Sequence, residues 1–366
     1  MNKPKIAVIG LKGLPAFGGA ASVGENIIQQ LKDEYDFTVY ATSLHTNRKT
    51  GDMNGYKQIV FRNIPFKKLN TLYYYLVSAC HAILFRKYDL IHLHHRDAAF
   101  ITIFLKIKYK VVITTHGSFY LLDKWNKFRW VFQINERWFV KKANVVTNVS
   151  LEEKRQYKKI INLDTIYIPN GVNIPNEFEQ DNFEEKFKPY LFFGAGRIIK
   201  SKGLDVLLKA LHLLNFTHTL LVAGDIDQTP EYKKEILQLA TGLNVQFLGL
   251  IKDKKRLLSL IHGAKLFLFP SSLEAMSMML LEAVSCKTPL IASDIEANTD
   301  IFNENELLFF KNEDEKDLAV KIDFAIKHYD QMIEMADTAL KKVKNAYNWE
   351  YIATKYKEIF EFLLES

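Results

Sequence analysis

Two glutamates, Glu274 and Glu282, lie in the run Ser271-Ser272-Leu273-Glu274-Ala275-Met276-Ser277-Met278-Met279-Leu280-Leu281-Glu282-Ala283. The apolar stretch Leu266–Pro270 ends just before it. That order predicts Glu274 in a loop at a strand's carboxyl edge and Glu282 inside the following helix. A loop carboxylate accepts hydrogen bonds from sugar hydroxyls. A carboxylate between Leu281 and Ala283 is costly without a partner, and a ribose diol is a suitable one. The alternatives are a helix N-terminal acid for Glu274 and a salt-bridged helix acid for Glu282. Earlier, Gly196-Arg197-Ile198-Ile199-Lys200-Ser201-Lys202-Gly203 follows the apolar run Tyr190–Gly194 and precedes a helical pattern, Leu204–Leu214. Arginine offers planar, bidentate contacts to phosphate, and lysine adds a point charge. Arg197 and Lys202 are thus set to neutralise a diphosphate, unless the loop is simply solvated.

Other motifs point to different chemistry. Gly18 and Gly19 precede a helical pattern, where backbone N–H groups approach an anion; a plain turn is the alternative. The first glycine loop, Gly10 to Gly19, is not G-x-G-x-x-G, and Tyr40-Ala41-Thr42-Ser43 offers no acid for a ribose of NAD. A dinucleotide oxidoreductase is therefore disfavoured. Asp225-Ile226-Asp227 forms a D-x-D, but it follows a predicted strand and reads as a loop. His92, His94 and His95 lack a carboxylate or cysteine motif that would complete a metal site, and read as strand-edge histidines. No metal and no cofactor is expected.

The elements that position these residues are legible as alternation. Lys5–Gly10, Phe37–Thr42, Leu90–His94, Val111–Thr115, Val145–Val149 and Thr165–Pro169 read as strands in the first half. Tyr190–Gly194, Thr219–Gly224, Val245–Leu248, Leu266–Pro270 and Pro289–Ser293 do so in the second. Helix-length stretches such as Ser22–Tyr35 and Leu151–Ile160 lie between them. Near-continuous apolar strands separated by helices imply parallel sheets covered on both faces. Two doubly wound α/β domains follow, each with a ligand edge at the carboxyl ends of its strands. The polar stretch Asn170–Lys188 is the expected linker. The expected domains are residues 1–175 and 188–345, with a helix over 346–366 returning to the first.

The 366 residues are 48% hydrophobic and 25% charged, which excludes a disordered chain. Residues 1–175 carry 26 basic and 12 acidic side chains, net +14, and residues 176–366 carry 23 and 30, net −7. Such asymmetry speaks to partners. Lys67-Lys68 beside Phe66 and Tyr73-Tyr74-Tyr75, and Trp125 and Trp130 among lysines and arginines, suit an anionic membrane surface; core-facing helices with a basic outer side are the alternative. No recognised nucleic-acid module is present. With no 18-residue uncharged apolar run, no signal sequence and two distant cysteines, a cytoplasmic protein is expected, peripheral on the inner membrane face if those segments bind lipid.

Taken in order, Gly13-x-Pro15…Gly18-Gly19, Thr115-His116-Gly117, Ile168-Pro169-Asn170-Gly171-Val172, Gly196-Arg197…Lys202-Gly203, Glu274-x7-Glu282 and Pro289-Leu-Ile-Ala-Ser293-Asp294 resemble the retaining glycosyltransferases of family 4. The resemblance spans almost the whole chain. It implies a GT-B fold: two facing Rossmann-like domains with an interdomain cleft, acceptor in the first and nucleotide-sugar donor mainly in the second. By resemblance, Arg197 and Lys202 hold the donor diphosphate, Glu282 the ribose and Glu274 the sugar hydroxyls. His116 matches a histidine near the transferred sugar, and Gly18 and Gly19 a loop near the phosphates. The implied reaction retains anomeric configuration without a metal, using a nucleotide sugar, most readily UDP- or GDP-linked. The acceptor would be a glycan or a polyprenyl-diphosphate-linked sugar of surface polysaccharide synthesis. The chain departs from the family's E-G-F-G-x-P at Ala275, Ser277 and Met279, and has Ala21 where an acid is usual, with Glu25 retained. Another nucleotide-sugar enzyme on this fold, or an inactive scaffold, are the competing readings.

Overall fold

The computed structural model describes residues 3–16, 19–66, 69–117, 134, 138–179 and 185–366. The chain divides into two compact units, Met1–Asn170 with Trp349–Ser366, and Gly171–Asn348.

The first unit is built on β1 (Lys5–Lys12), β2 (Asp36–Thr42), β3 (Gly51–Asp52), β4 (Tyr56–Phe61), β5 (Leu90–His94), β6 (Lys110–Thr115), β7 (Val145–Asn148) and β8 (Ile166–Tyr167). Their order across the sheet is β3-β4-β2-β1-β5-β6-β7-β8. All neighbours are parallel except β3 and β4. Ile6 to Ile9 of β1 are fully buried, as expected of a strand covered on both faces. The cover includes α1 (Gly19–Leu31), α2 (Asn70–Phe85), the short α3 (Thr102–Leu105) and α4 (Leu151–Ile161). Ser150 caps α4 by accepting from the Glu153 N–H, and Asn162 ends it in the left-handed conformation.

The second unit holds β9 (Tyr190–Arg197), β10 (Thr219–Asp225), β11 (Val245–Gly249), β12 (Leu266–Phe269), β13 (Leu290–Ser293) and β14 (Leu308–Phe310), ordered β11-β10-β9-β12-β13-β14 and wholly parallel. Around it run α5 (Leu204–Leu213), α6 (Pro230–Leu239), α7 (Lys254–His262), α8 (Met278–Ser285), α9 (Glu296–Thr299), α10 (Glu315–Lys327) and α11 (Tyr329–Ala346). The chain then returns to the first unit as α12 (Trp349–Glu365), which packs on α1 and sets Tyr356 and Phe360 against His92 of β5.

Each sheet has one point where successive strands run to opposite sides, β1/β5 in the first and β9/β12 in the second. A crevice opens there at the carboxyl ends. One glycine serves each point. Gly10 has φ +117°, and a Cβ on it would stand 2.0 Å from the His94 carbonyl oxygen. Gly203 has φ +71°, and its Cβ would stand 2.0 Å from the Pro270 carbonyl oxygen. No side chain fits either place, so the end of β1 is drawn against the end of β5, and the loop before α5 against the end of β12.

Candidate active site

In the second unit the chemistry gathers at the β9/β12 crevice. β9 ends at Arg197, an exposed residue whose guanidinium has no ion pair among the described residues. Ile198 N–H donates to the Asp225 carbonyl at 2.8 Å, which turns the chain across the sheet edge. Lys200, Ser201 and Lys202 then form one 3-10 turn, closed by Gly203. Within that turn Lys200 is already engaged, 2.7 Å from Asp205 and 2.9 Å from Glu235. Lys202 points the other way, with its Nζ 2.5 Å from Glu274 Oε1. Ser272 N–H donates to the Ser201 carbonyl at 2.9 Å and fastens the two loops together. Lys202 and Glu274 are therefore brought together across the crevice from 72 positions apart.

Glu282 lies on α8, whose first turn is capped by Ser277. Its side chain is 9% exposed and pairs with Lys254 of α7. Burial raises its pKa, and the Lys254 ammonium opposes that rise. The helix acid is thus salt-bridged, and Lys254 is a partner the sequence reading did not name. Met279 lies over Gly194 of β9: a Cβ on that glycine would stand 3.3 Å from the Met279 sulfur.

The first unit presents a different edge. His92 and His94 point to one side of β5, and both are buried rather than at the strand's edge. His92 Nε2 is 2.8 Å from Thr114 Oγ1, and its ring sits under Tyr356 and Phe360. His94 Nδ1 is 3.1 Å from His116 Nε2, with the rings 12° from parallel. His95, at φ +74°, brings a third imidazole within 5.1 Å of His116. Burial pushes the His92 pKa down to about 3 and those of His94 and His116 well below the ordinary value. The mutual repulsion of neighbouring imidazoles adds to the effect on His94 and His116. These rings are neutral at physiological pH. His94 Nε2 is buried with no hydrogen-bond partner among the described residues, so its Nδ1 contact to His116 is its polar anchor. His116 remains partly accessible at the carboxyl edge.

Behind the cluster lies a buried ion pair. Arg96 is 1% exposed and reaches Glu153 Oε1 at 2.8 Å, while a guanidinium nitrogen also donates to the Gly117 carbonyl. Glu153 Oε2 accepts from Thr115 Oγ1 at 2.8 Å. Arg96 and Glu153 hold the Thr115-His116-Gly117 turn from behind. Sequence reading missed both, although Arg96 directly follows the histidine run.

Several expected residues take other places. Gly19 opens α1, is exposed, and has open space around its Cβ position. The Ala16 N–H donates to Glu25 Oε2 at 3.0 Å, so the retained acid braces the loop ahead of α1. Gly18, Lys67, Lys68, Trp125 and Trp130 lie outside the described residues. Tyr74 and Tyr75, expected in a membrane-facing segment, are in the core instead. The Tyr74 hydroxyl donates to the Tyr40 carbonyl and that of Tyr75 to Asp97, which satisfies their polar ends internally. Asp225 accepts from Asp227 N–H and Gln228, and Asp227 pairs with Lys233, so the D-x-D is a self-satisfied turn. Among the described residues no group of three or more His, Cys, Asp or Glu is arranged to hold a metal ion.

Residues 17–175 match the family model described as Glycosyltransferase Family 4, and residues 175–347 match Glycosyl transferases group 1. The chain belongs to the family 4 glycosyltransferases. An uncharacterised glycosyltransferase of Methanocaldococcus jannaschii is 26% identical over 95% of this chain and 96% of its own length. A capsular polysaccharide biosynthesis glycosyltransferase of Staphylococcus aureus, CapM, is 24% identical over 54% of each chain. Among solved structures, sucrose-phosphate synthase of Thermosynechococcus elongatus superposes with a TM-score of 0.84 at 20% identity, covering 99% of this glycosyltransferase and 100% of that chain. The Anabaena protein HepE, solved in complex with UDP and glucose, does so at 0.75 and 20% identity, over 98% and 99%. The fold of this glycosyltransferase is accordingly GT-B, with two Rossmann-like α/β domains.

Proposed function

We propose that this glycosyltransferase moves a sugar, with retention, from a nucleoside-diphosphate sugar to a glycan or polyprenyl-diphosphate-linked acceptor in surface polysaccharide synthesis. The observation that carries the reading is the Lys202–Glu274 pair at the β9/β12 crevice, with Arg197, which has no ion pair among the described residues, at the end of β9. In the resting protein the ammonium and the carboxylate neutralise each other. An incoming diphosphate competes for Lys202 and joins Arg197, and Glu274 is freed to accept hydrogen bonds from the sugar hydroxyls. Binding of the phosphates thereby prepares the sugar contact. As the bond from the anomeric carbon to the leaving phosphate oxygen breaks, the acceptor oxygen bonds to that carbon on the same face. The acceptor proton passes to the leaving phosphate. Arg197 and Lys202 stabilise the growing negative charge, a role two positive side chains perform without a metal. Glu282 accepts from the ribose diol while Lys254 keeps it ionised. In the first unit the neutral His116 offers a hydrogen bond to an uncharged sugar hydroxyl, and Met279 over Gly194 narrows the sugar side of the donor crevice.

The capsular relative and the UDP-bound structural neighbour support this class of donor and product. Among the described residues no helix is long and apolar enough to cross a membrane. A thermal-shift screen over UDP-, GDP-, ADP- and CDP-sugars finds the donor, because a ligand that binds the folded state raises its melting temperature. NMR of the product then gives the anomeric configuration. Inversion, or a requirement for manganese after EDTA treatment, overturns the mechanism. No shift with any nucleotide sugar overturns the donor reading.

A further inference from the structure

The first sheet has a second concave surface at its amino edge, at the other end of the strands from His94 and His116. Lys5 opens β1 and Lys12 closes it, so the two edges are separated by about 23 Å at ~3.3 Å per residue. The cavity there measures about 810 Å³. Its rim carries Lys3, Lys5, Lys32, Lys57, Arg86 and Lys87, and Lys108 makes a seventh cation against two acids, Asp36 and Asp52. None of the seven forms an ion pair with a carboxylate among the described residues. Those with hydrogen bonds spend them on neutral oxygens. Lys3 donates to the Lys32 carbonyl, Lys32 to Gln29, and Lys108 to the carbonyls of Ile83 and Arg86 at the end of α2. Asp89, at the same edge, accepts from the Lys5 backbone N–H. A net charge of about +5 is therefore concentrated in one bowl, with two acids against seven cations.

The lip of the bowl is apolar. Leu84 and Phe85, which end α2 and line the cavity, are each 70% exposed. The exposure continues up the same side of α2 at four-residue spacing through Leu76 and Leu72, and beyond the end of α3 at Ile107, which is 80% exposed. Lys108 and Tyr109 clamp the last carbonyls of α2, so this lip is held in place rather than frayed. Cations in a bowl with large apolar side chains standing free at its margin match the layering of a bilayer surface, phosphate outside and hydrocarbon beneath.

We infer that the amino edge of the first sheet is a docking site for the phosphate headgroups of an anionic lipid bilayer, with Leu84 and Phe85 entering the interface. The cations neutralise headgroup phosphates, and the lip supplies apolar burial that a soluble phosphate cannot use. Within the first unit this surface lies at the opposite end of β1 from Lys12, and it uses none of the residues assigned to the donor.

Flotation of the full chain with phosphatidylglycerol-containing and pure phosphatidylcholine vesicles tests it. Binding is expected with the anionic vesicles only, and falls as salt shortens the screening length. The double reversal Lys57→Glu/Lys87→Glu is expected to weaken it about tenfold or more, and Leu84→Ser/Phe85→Ser several-fold. Nucleoside-diphosphate affinity is expected to stay unchanged in both, which separates this site from the donor reading. Equal flotation of wild type and Lys57→Glu/Lys87→Glu overturns the inference. So does binding of inorganic pyrophosphate that Lys57→Glu/Lys87→Glu abolishes, without any flotation, since the site then takes a soluble phosphate. Self-association in the absence of vesicles that Leu84→Ser/Phe85→Ser abolishes assigns the lip to a second copy of the chain and also overturns it.

Discussion

The two carboxyl edges are built on the same sheet plan and solve opposite electrostatic problems. The first gathers neutral groups: buried imidazoles, desolvated, with His94 and His116 hydrogen-bonded to each other and a sealed Arg96–Glu153 pair behind them. The second keeps its charges at the surface: Arg197 exposed, Lys202 a quarter exposed against Glu274, Lys254 half-exposed over Glu282. A neutral edge suits uncharged hydroxyls, which it meets without a desolvated counter-ion. A charged edge suits a dianion, whose arrival exchanges one ion pair for another. The fold supplies the crevice, and the side chains decide what enters it.

The contrast can be broken most forcefully with acid. The folded pKa of His92 lies below its unfolded value, so the unfolded chain binds the extra proton as pH falls. Stability is therefore full above about pH 6.5 and is lost below it. His92 alone is expected to cost on the order of 4 kcal/mol between pH 6.5 and 3.5, and His94 and His116 act in the same direction. Urea denaturation across that range should show the slope, and His92→Gln should flatten it. An unchanged slope in the variant removes the neutral-edge argument.

Next in size is the sealed pair. Glu153→Ala leaves Arg96 buried without its carboxylate and is expected to cost about 3–5 kcal/mol by the same assay. Arg197→Ala and Lys202→Ala should do the reverse: little change in stability, but a loss of about 1.5–3 kcal/mol each in nucleoside-diphosphate affinity by calorimetry. If Lys202→Ala proves as destabilising as Glu153→Ala, the second edge is structural and the contrast fails.

Smaller still is Lys254→Gln. Glu282 already has a raised pKa, so the folded protein holds its proton more readily than the unfolded chain does. Its contribution to stability declines as pH rises from the unfolded pKa through the folded one. Removing Lys254 extends that decline upward. The substitution is expected to cost about 1 kcal/mol at pH 7 and less at pH 4, read from paired melting curves. Equal costs at both pH values would mean that the ammonium does not sustain the carboxylate.

Much of this is legible in the sequence alone, because near-continuous apolar strands and glycine loops carry the sheet plan locally. Lys5 to Gly10 and Tyr190 to Gly194 read as strands and are strands, each running on to the residues that line its edge. β4 was not read. Its Tyr-Lys-Gln-Ile-Val-Phe mixes polar and apolar residues, and the buried Gln58 is there to accept from the Leu14 N–H, a contact 44 positions away. β14 was missed for its length of three residues. Arg96–Glu153 and Lys254–Glu282 were invisible for a related reason. Each partner alone is an ordinary charged residue on an ordinary element, and only the three-dimensional approach makes them a pair. Tyr74 and Tyr75 misled in the other direction, since an aromatic run beside lysines has the composition of an interface whether or not its hydroxyls find partners inside.

The return of α12 to the first unit bears on how the protein is made. Tyr356 and Phe360 cover His92, so the first unit lacks part of its core until residues 349–366 have left the ribosome. The intervening second unit occupies Gly171–Asn348, and at ordinary elongation rates its synthesis takes on the order of 10–40 s. During that interval the nascent first unit carries an uncovered apolar groove, an evident target for holding chaperones. The second unit, continuous in sequence, can finish first although it is made later. Translation that stops short of residue 349 therefore yields a complete second unit joined to an unfinished first one, which gives quality-control proteases a ready means of telling truncated chains from finished ones.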